Sequence, residues 1–562
     1  MLANKTRNSM GWVKMNIQYL KNLNYLEALR SLDNQCVDSI IVVGSYILES
    51  SGENVFKETL NQCIRVLKET GILSIQGTPH NLPNRIEPLM KALYFKYWIA
   101  IGSSISKDKP GLPTTHATIV LFSKSKNFFR VNKVRFPHKY CSFCHRTLKD
   151  WGGKSHLMNP VGYAISDVWR DLPRQDNYTK LSLPVLEVLL QLIDGKDGRC
   201  LVFPFEAIDF DNNYLLTQPY LAPQPSFLQS AIQIPPKINK IDEGLLDVVH
   251  CGDAIEILQK YPDNSVDLAF ADPPYNLNKS YNSYDDEKED QRYIDWCNSW
   301  LKEYIRVLKP TGSLYIVNLP KWGIYHASFL NKHLYFQNWI VWDAISEPRG
   351  KIMPAHYALL FYTKHLTDFT FSYQDVSPVD TPSFCLRSSC IKQRKKQGID
   401  PKVPLTDIWW DIHRIKHKKD RDMHPCQLPD KLMERIILLS SNKGDVVLDA
   451  LCGVGTTAIA AFKLGRRYIA IDIDKRYVDI TQRKITQLRT KGFIPRKPEE
   501  KALRKVTKKE LQLELKEIAQ SLGRLPTEED VKKMSKYNLQ LFKETFPTWG
   551  KALKAAKLEV RQ

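Results

Sequence analysis

No apolar run in the 562-residue sequence approaches the roughly 18 residues that a membrane-crossing helix needs. The first twenty residues are polar and lack the apolar stretch of a secretion signal. These absences lead to the expectation of a soluble, cytoplasmic, nucleoid-associated protein with no membrane partner. Eleven cysteines, an odd number scattered along the chain, do not make a disulfide framework. Most are expected to be small buried hydrophobes. Acidic residues are also in deficit, 61 against 81 basic ones, for a net charge of +20. Solubility alone needs far less, so the excess points to a polyanionic partner, most simply nucleic acid. The length exceeds one hydrophobic core and implies two large domains and a smaller one.

The chain is organised around VDLAFADPPY, Val266 to Tyr275. A near-continuous apolar run of strand length reads as a buried parallel strand, and it stops at Asp272-Pro273-Pro274-Tyr275. Open α/β sheets place ligands at such strand ends. Two prolines fix φ and remove two N–H donors, which frees the carbonyls of the turn. Asp272 and the Pro273 carbonyl can each accept one hydrogen of an exocyclic amino group, and Tyr275 can stack on a flipped base. An isolated turn of this kind is equally a strand-to-loop connection with a capping Asp.

Residues 1–225 repeat, in order, the blocks of the region from about 247 onward. NYLEALRSLDNQCVDSIIVVGSY from Asn24 parallels DAIEILQKYPDNSVDLAFADPPY from Asp253, and IRVLKETG from Ile64 parallels IRVLKPTG from Ile305. THATIVLFSK from Thr115 then matches AHYALLFYTK from Ala355, and ISDVWRDL from Ile165 matches LTDIWWDI from Leu405. Ordered blocks of this kind mean two copies of one α/β unit. The first copy has Val43-Gly44-Ser45-Tyr46 in place of the Asp-Pro-Pro-Tyr turn and Phe203-Pro204-Phe205 in place of a glycine pair, so it is expected to be non-catalytic.

A second decisive stretch, Val446 to Thr457, reads strand, glycine turn (Gly453, Gly455) and helix start, and a further strand ends at Asp472. Glycines there permit positive φ and close approach of a ligand, and an acid at the next strand end suits ribose hydroxyls. A tight β–α turn is the plainer alternative. Basic runs near Lys392–Lys396 and Arg414–Lys419 mark a surface insert that could lie along DNA phosphate or simply be solvated. Cys141-Ser-Phe-Cys144 has metal-knuckle spacing. Cys385 and Cys390 occupy a similar place in the other copy, and both zinc across the copies and a pair of buried thiols stay open.

With both stretches in view, the second copy resembles the beta class of amino-group DNA methyltransferases. That family's [DNS]-P-P-[YFW] precedes its cofactor motif, with a recognition insert between, as here. Its H-P-T-Q-K-P element corresponds to His424-Pro425-Cys426-Gln427-Leu428-Pro429. The resemblance implies S-adenosylmethionine as cofactor and double-stranded DNA as partner, with a cognate restriction nuclease left open. It implies Asp272, Pro273, Pro274 and Tyr275 as catalytic residues and no catalytic metal. Cofactor contacts carry over to Asp253, Cys426, Gln427, Asp449, Leu451, Cys452, Gly453, Gly455, Thr456, Thr457 and Asp472. Aspartate at the head of the catalytic motif is typical of adenine-N6 enzymes. Cytosine-N4 transfer and a non-catalytic DNA-binding scaffold are the alternatives, while the motif order argues against a release-factor glutamine methyltransferase. SLGRLPTEEDV followed by FPTWGKALKAAKL looks like the homing-endonuclease-associated repeat. The expected fold is α/β, two Rossmann-like methyltransferase units, the first degenerate, with a small C-terminal all-α domain. The expected boundaries are 1–225, a linker at 226–243, a catalytic domain at 244–490 with its insert at about 375–422, a linker at 491–506 and a helical module at 507–562. The pseudo-half is expected to pack on the active one as an internal mimic of a dimer.

Overall fold

The computed structural model describes residues 2–4, 16–20, 25–106, 111–148, 159–170, 172, 178–193, 198–209, 237–277, 288–344, 351–415, 427–494, 508–537, 539–546, 548–556 and 558. His424, Pro425, Cys426, most of both expected linkers and the basic run from Lys416 lie outside them. The chain divides into two compact units, Met1–Ile485 and Thr486–Gln562. None of the described helices is long and apolar enough to cross a membrane.

The larger unit contains two eight-stranded sheets. The strands of the first are β1 (Leu2–Asn4), β2 (Asn16–Leu20), β3 (Val37–Val43), β4 (Leu67–Gly77), β5 (Tyr94–Ser106), β6 (Thr114–Ser123), β7 (Val168–Trp169) and β8 (Arg199–Phe203). Those of the second are β9 (Val248–Cys251), β10 (Val266–Ala271), β11 (Leu308–Asn318), β12 (Tyr335–Asp343), β13 (His356–Thr363), β14 (Ile408–Trp409), β15 (Val446–Asp449) and β16 (Arg467–Asp472). The first sheet runs 1-2-8-3-4-6-5-7 and the second 9-16-15-10-11-13-12-14. From β8 and from β15 onward the orders are the same, with antiparallel pairs only where β6 and β13 intervene.

The sheets differ at the other edge. In the second, β16 and then β9 flank β15 in parallel. In the first, β2 lies directly against β8. The short strand after β8, Ile208–Asp209, pairs instead with Leu181–Ser182. The first sheet therefore has, among the described residues, no counterpart of the strand that ends in Asp472.

β10 carries the apolar run seen in the sequence, and it is central because nearly every side chain in it is buried on both faces. The helix Asp290–Val307 covers it with the 3.6-period stripe Tyr293, Cys297, Trp300, Leu301, Tyr304 and Val307.

The two halves meet through reciprocal contacts. Asp407, at the start of β14, accepts from the Thr115 amide (2.8 Å), the Thr115 hydroxyl (2.7 Å) and His116 Nδ1 (2.8 Å). Asp167, at the matching place before β7, accepts from the Ala355 amide (2.8 Å) and lies 3.0 Å from His356 Nδ1. Trp98 of β5 stacks on its counterpart Trp339 of β12, with centroids 4.0 Å apart and planes at 3°. These contacts are reciprocal: a residue of each half meets the counterpart of its own partner in the other.

The smaller unit contains the helices Lys508–Leu522, Glu528–Met534, Leu539–Thr545 and Trp549–Ala555. Gly523 takes φ +65 after the first of these. Thr527 and Asp530 close a reciprocal capping box on the second. Leu511, Leu515, Ile518, Val531, Phe542 and Phe546 form their core.

Candidate active site

Strands β9, β16, β15 and β10 run parallel, with Cys251 opposite Asp472, Ala470 opposite Asp449 and Asp449 opposite Phe270. Their carboxyl ends share one edge of the sheet. The segments Gly252–Asp253, Asp472–Asp474, Ala450–Thr457 and Asp272–Tyr275 follow one another along it, so the two stretches that stood far apart in sequence open at adjacent strand ends.

Bonds from three elements hold the Asp272–Tyr275 turn. Tyr275 donates its hydroxyl to Asp272 Oδ1 at 2.8 Å. Tyr293 donates to the Pro274 carbonyl (2.6 Å), and Trp322 Nε1 donates to the Tyr275 carbonyl (2.8 Å). Of the three carbonyls from Pro273 to Tyr275, only that of Pro273 has no partner among the described residues, and it is the one the sequence assigned to a substrate amino group. Behind Tyr293, Asn318 Nδ2 donates to its hydroxyl and contacts His326 Nε2, both at 3.0 Å. Burial pushes His326 down to about 3, so its imidazole is neutral and can accept. The Tyr275 side chain is 4% exposed, with its ring 5.6 Å from that of Tyr357. Its observed work is thus to orient Asp272.

Tyr304 ties the two loops together. Its buried hydroxyl donates to the Phe270 carbonyl at 3.1 Å and accepts from the Ala450 amide at 2.7 Å. Helical periodicity marks Tyr304 and Tyr293 as core positions, and their polar tips are what that reading misses. An oxygen buried at the centre of a sheet edge needs a partner.

The glycine turn is shaped by two acids. Asp449 accepts from the Leu451 amide (3.1 Å) and the Thr457 hydroxyl (2.5 Å). Burial raises its carboxyl to about 7, against the lowering effect of those two donors. Asp472 accepts from the Gly453 amide and the Asp474 amide, both at 2.8 Å. Burial raises it to about 6, and the neighbouring Asp474 adds to the rise. Gly455 has φ +78, and a Cβ there would stand 2.2 Å from Thr481 Cγ2. Cys452 is buried against this turn, its sulfur contacting the Gly453 carbonyl, while Leu451 and Thr456 are half-buried. Asp253 Oδ1 caps the short helix Ala254–Leu258 through the Ile255 and Glu256 amides. Gln427 is half-buried just ahead of the helix Asp430–Ser440.

The edge fits a nucleoside-bearing cofactor. Its glycine turn brings backbone close to the sheet end, the buried Asp449 and the half-buried Asp472 flank that turn, and Asp474 Oδ2 is buried with no hydrogen-bond partner among the described residues. A cavity of about 530 Å³ lies elsewhere, between the halves. It is lined by Arg170, Asp343, Phe384, Trp410 and others, and by none of the residues of these two loops. The basic run also needs correcting as a plain surface feature: Arg394 is 1% exposed, with its guanidinium 4.6 Å from the Phe384 ring centroid. Lys392, Lys395 and Lys396 are exposed around it.

The aligned positions of the first half carry aromatic rings, and its turn at Val43–Tyr46 has no carboxylate. Tyr25 stacks on Phe203 at 5.6 Å and 16°, and Phe205 lies edge-on to Tyr19. β3 runs straight into a helix at Gly44, where a Cβ would stand 2.7 Å from the Gln76 carbonyl.

Adjacent parallel strands of this sheet thus end in a proline-rich turn headed by an acid and a glycine turn flanked by acids. Residues 50–213 and 266–483 match the DNA methylase family, and residues 506–559 match the homing endonuclease associated repeat. The chain belongs to the DNA methylase family. It is 40% identical over 232 residues to the type II methyltransferase M.BamHI of Bacillus amyloliquefaciens, covering 41% of this chain and 55% of that one. To M.HpaI of Haemophilus parainfluenzae it is 37% identical, covering 42% and 73%. To the DNA adenine methyltransferase YhdJ of Escherichia coli it is 34% identical, covering 42% and 82%. Among solved structures, TTHA0409 of Thermus thermophilus matches at 25% identity and a TM-score of 0.31, over 44% of this chain and 96% of that one.

Proposed function

We propose that the chain transfers a methyl group from S-adenosylmethionine to the N6 amino group of adenine in double-stranded DNA, with the base flipped into the edge of the second sheet. The observation that carries this reading is the pairing of Phe270 with Asp449, which puts the acceptor turn and the glycine turn side by side. The cofactor supplies an electrophilic methyl group on a sulfonium.

The protein supplies everything that orients the nucleophile. The adenine amino lone pair is delocalised into the ring. Asp272 and the Pro273 carbonyl, by accepting both N–H hydrogens, favour a more tetrahedral nitrogen whose lone pair is aimed at the methyl group. Tyr275 fixes one carboxylate oxygen of Asp272. Its ring, next to Tyr357, is the surface for stacking once the base enters. Asp472 accepts ribose hydroxyls and Asp253 reads the cofactor's adenine edge. The backbone from Leu451 to Gly455 allows close approach, and the family resemblance assigns further cofactor contacts to Cys426, Gln427, Thr456 and Thr457. After transfer the nitrogen is acidic enough to release its proton to water or to Asp272.

The first half is a degenerate methyltransferase unit. Its aromatic rings occupy the cofactor place and its turn has no carboxylate, so its role is to pack on the active half and shape the DNA channel. The boundaries that follow are 1–225 for this unit and 244–490 for the catalytic one. The helical module at 507–562 adds DNA contacts outside the recognition insert. The aspartate at position 272 and the similarity to YhdJ favour adenine over cytosine.

Incubating the purified chain with tritiated methyl donor and DNA, then digesting to nucleosides, tests the reading. Label in N6-methyladenine is expected. Label in N4-methylcytosine would correct the base, and no label at any DNA would leave the scaffold reading.

A further inference from the structure

Each half carries a small two-stranded ribbon, residues 135–136 with 163–164 and residues 379–380 with 402–403, and each ribbon's loop holds two cysteines. The loops meet. Cys141 Sγ lies 3.8 Å from Cys390 Sγ, Cys144 Sγ lies 3.6 Å from Cys385 Sγ, and the four sulfurs all fall within 4.8 Å of one another. A disulfide would bring its sulfurs to about 2.05 Å, so neither pair is bonded. Four thiolates at about 2.3 Å from one zinc ion stand on a tetrahedron with edges of about 3.8 Å. The Cys141–Cys390 and Cys144–Cys385 spacings, 3.8 and 3.6 Å, match that edge, and the remaining pairs lie within 4.8 Å.

The surroundings are built for a metal rather than for packing alone. Residues 141–146 form a tight turn: the Cys141 amide donates to the Arg146 carbonyl (2.7 Å), the His145 amide donates to the Cys141 carbonyl (3.0 Å), and His145 has φ +52. From the other half, the Cys385 amide donates to Cys141 Sγ at 3.4 Å, and the Ser142 amide donates to the Ser383 carbonyl at 3.1 Å. Phe143, Leu148 and Phe384 close the cluster. Apolar packing has no need to converge four thiol tips on one point, and an amide aimed at sulfur favours the thiolate. Zinc with four thiolates keeps a net negative charge. Arg394, buried in the same insert over Phe384 and with its Nε lacking a partner among the described residues, is a cation placed to offset it.

We propose that Cys141, Cys144, Cys385 and Cys390 bind one structural zinc ion that ties the degenerate half of the chain to the catalytic half. All four positions of the ion are filled by protein, so it takes no part in chemistry. It joins residues 241 to 249 positions apart in sequence, so it constrains the orientation of the halves directly.

The test uses the full chain, expressed with zinc and purified without chelator in a phosphine reductant. Elemental analysis should give about one zinc per chain. Titration with an organic mercurial should release that zinc, read by a metallochromic dye, as the four thiols are consumed. Replacement by Co²⁺ should give the intense visible bands and thiolate charge-transfer absorption of a tetrahedral tetrathiolate. Cys144→Ser with Cys385→Ser should remove most of the metal. Zinc below a tenth of an equivalent, iron in its place, mercurial modification without zinc release, or full zinc retention by the double variant would each overturn the proposal. The mercurial and cobalt measurements use the unaltered chain, so a variant that fails to fold does not leave the question open.

Discussion

At the scale of single residues, under the proposed methyl transfer the acceptor turn divides labour between atoms that touch substrate and atoms that aim them. Asp272→Ala removes one of the two acceptors of the amino group while leaving the glycine turn intact. Methyl transfer should fall at least ~10²–10³-fold, the usual effect of losing one preorganised polar contact to the reacting group. S-adenosylmethionine binding by calorimetry should be unchanged, and equal loss of both would move Asp272 out of the catalytic role. Tyr304→Phe leaves the Phe270 carbonyl and the Ala450 amide buried without their shared partner, at about 1–3 kcal/mol. The melting temperature should drop, and KM for the cofactor should rise more than kcat falls, because the glycine turn loses its tie to β10. Titration of Asp472 gives a third outcome. Its carboxyl is raised from the ordinary 3.8 to about 6, so between those values the folded chain holds a proton that the unfolded chain has lost. The resulting destabilisation is absent at low pH and complete above about 6. Ribose hydroxyls bond best to the ionised form. Cofactor Kd should therefore be flat above about pH 6 and rise about tenfold per pH unit below it, with proton release on binding. A flat profile down to pH 5 would remove Asp472 from the ribose contact.

At the scale of elements, what was legible in the sequence was whatever is locally encoded. The run Val266–Ala271 and the two prolines after it specify a buried strand and a donor-poor turn without reference to anything distant. Gly455 is similar: a φ of +78 with Thr481 at its back admits only glycine. Gly455→Ala costs about 1–2 kcal/mol for the left-handed backbone alone, before the overlap with Thr481. Cofactor affinity should fall ~10-fold or more while the far-UV spectrum of the chain stays native. What the sequence could not convey were choices made over long range. Tyr293 and Tyr304 look like members of an apolar stripe because periodicity reports burial and says nothing of what meets a hydroxyl. The repeat indicated two units, but not that β2 would fill the place beside β8, since a two-residue strand that pairs elsewhere has no local mark of it. The convergence of four cysteines drawn from loops 241 to 249 positions apart is of the same kind.

At the scale of the whole molecule, the reciprocal interface decides whether the halves unfold as one body or two. Asp407 and Asp167 each satisfy buried groups of the opposite half, and Trp98 and Trp339 stack at its centre. Truncating a buried Trp costs about 3–5 kcal/mol wherever it sits. The informative quantity is therefore the coupling between the two. If the stack is part of one cooperative interface, Trp98→Ala and Trp339→Ala should each lower a single denaturant transition of the unit ending at Ile485. The double variant should then be less destabilised than the sum by about 0.5–1.5 kcal/mol, the worth of an aromatic pair beyond its burial. A transition that splits, with Trp98→Ala moving only the part carrying the first sheet, would mean that the halves fold independently. In that case the first half could be removed without loss of the catalytic sheet, and expressing residues 237–494 alone would yield a folded, cofactor-binding chain. Under the cooperative reading the same fragment exposes the Trp339 face and the unpaired Asp407, and it should aggregate or fail to bind S-adenosylmethionine.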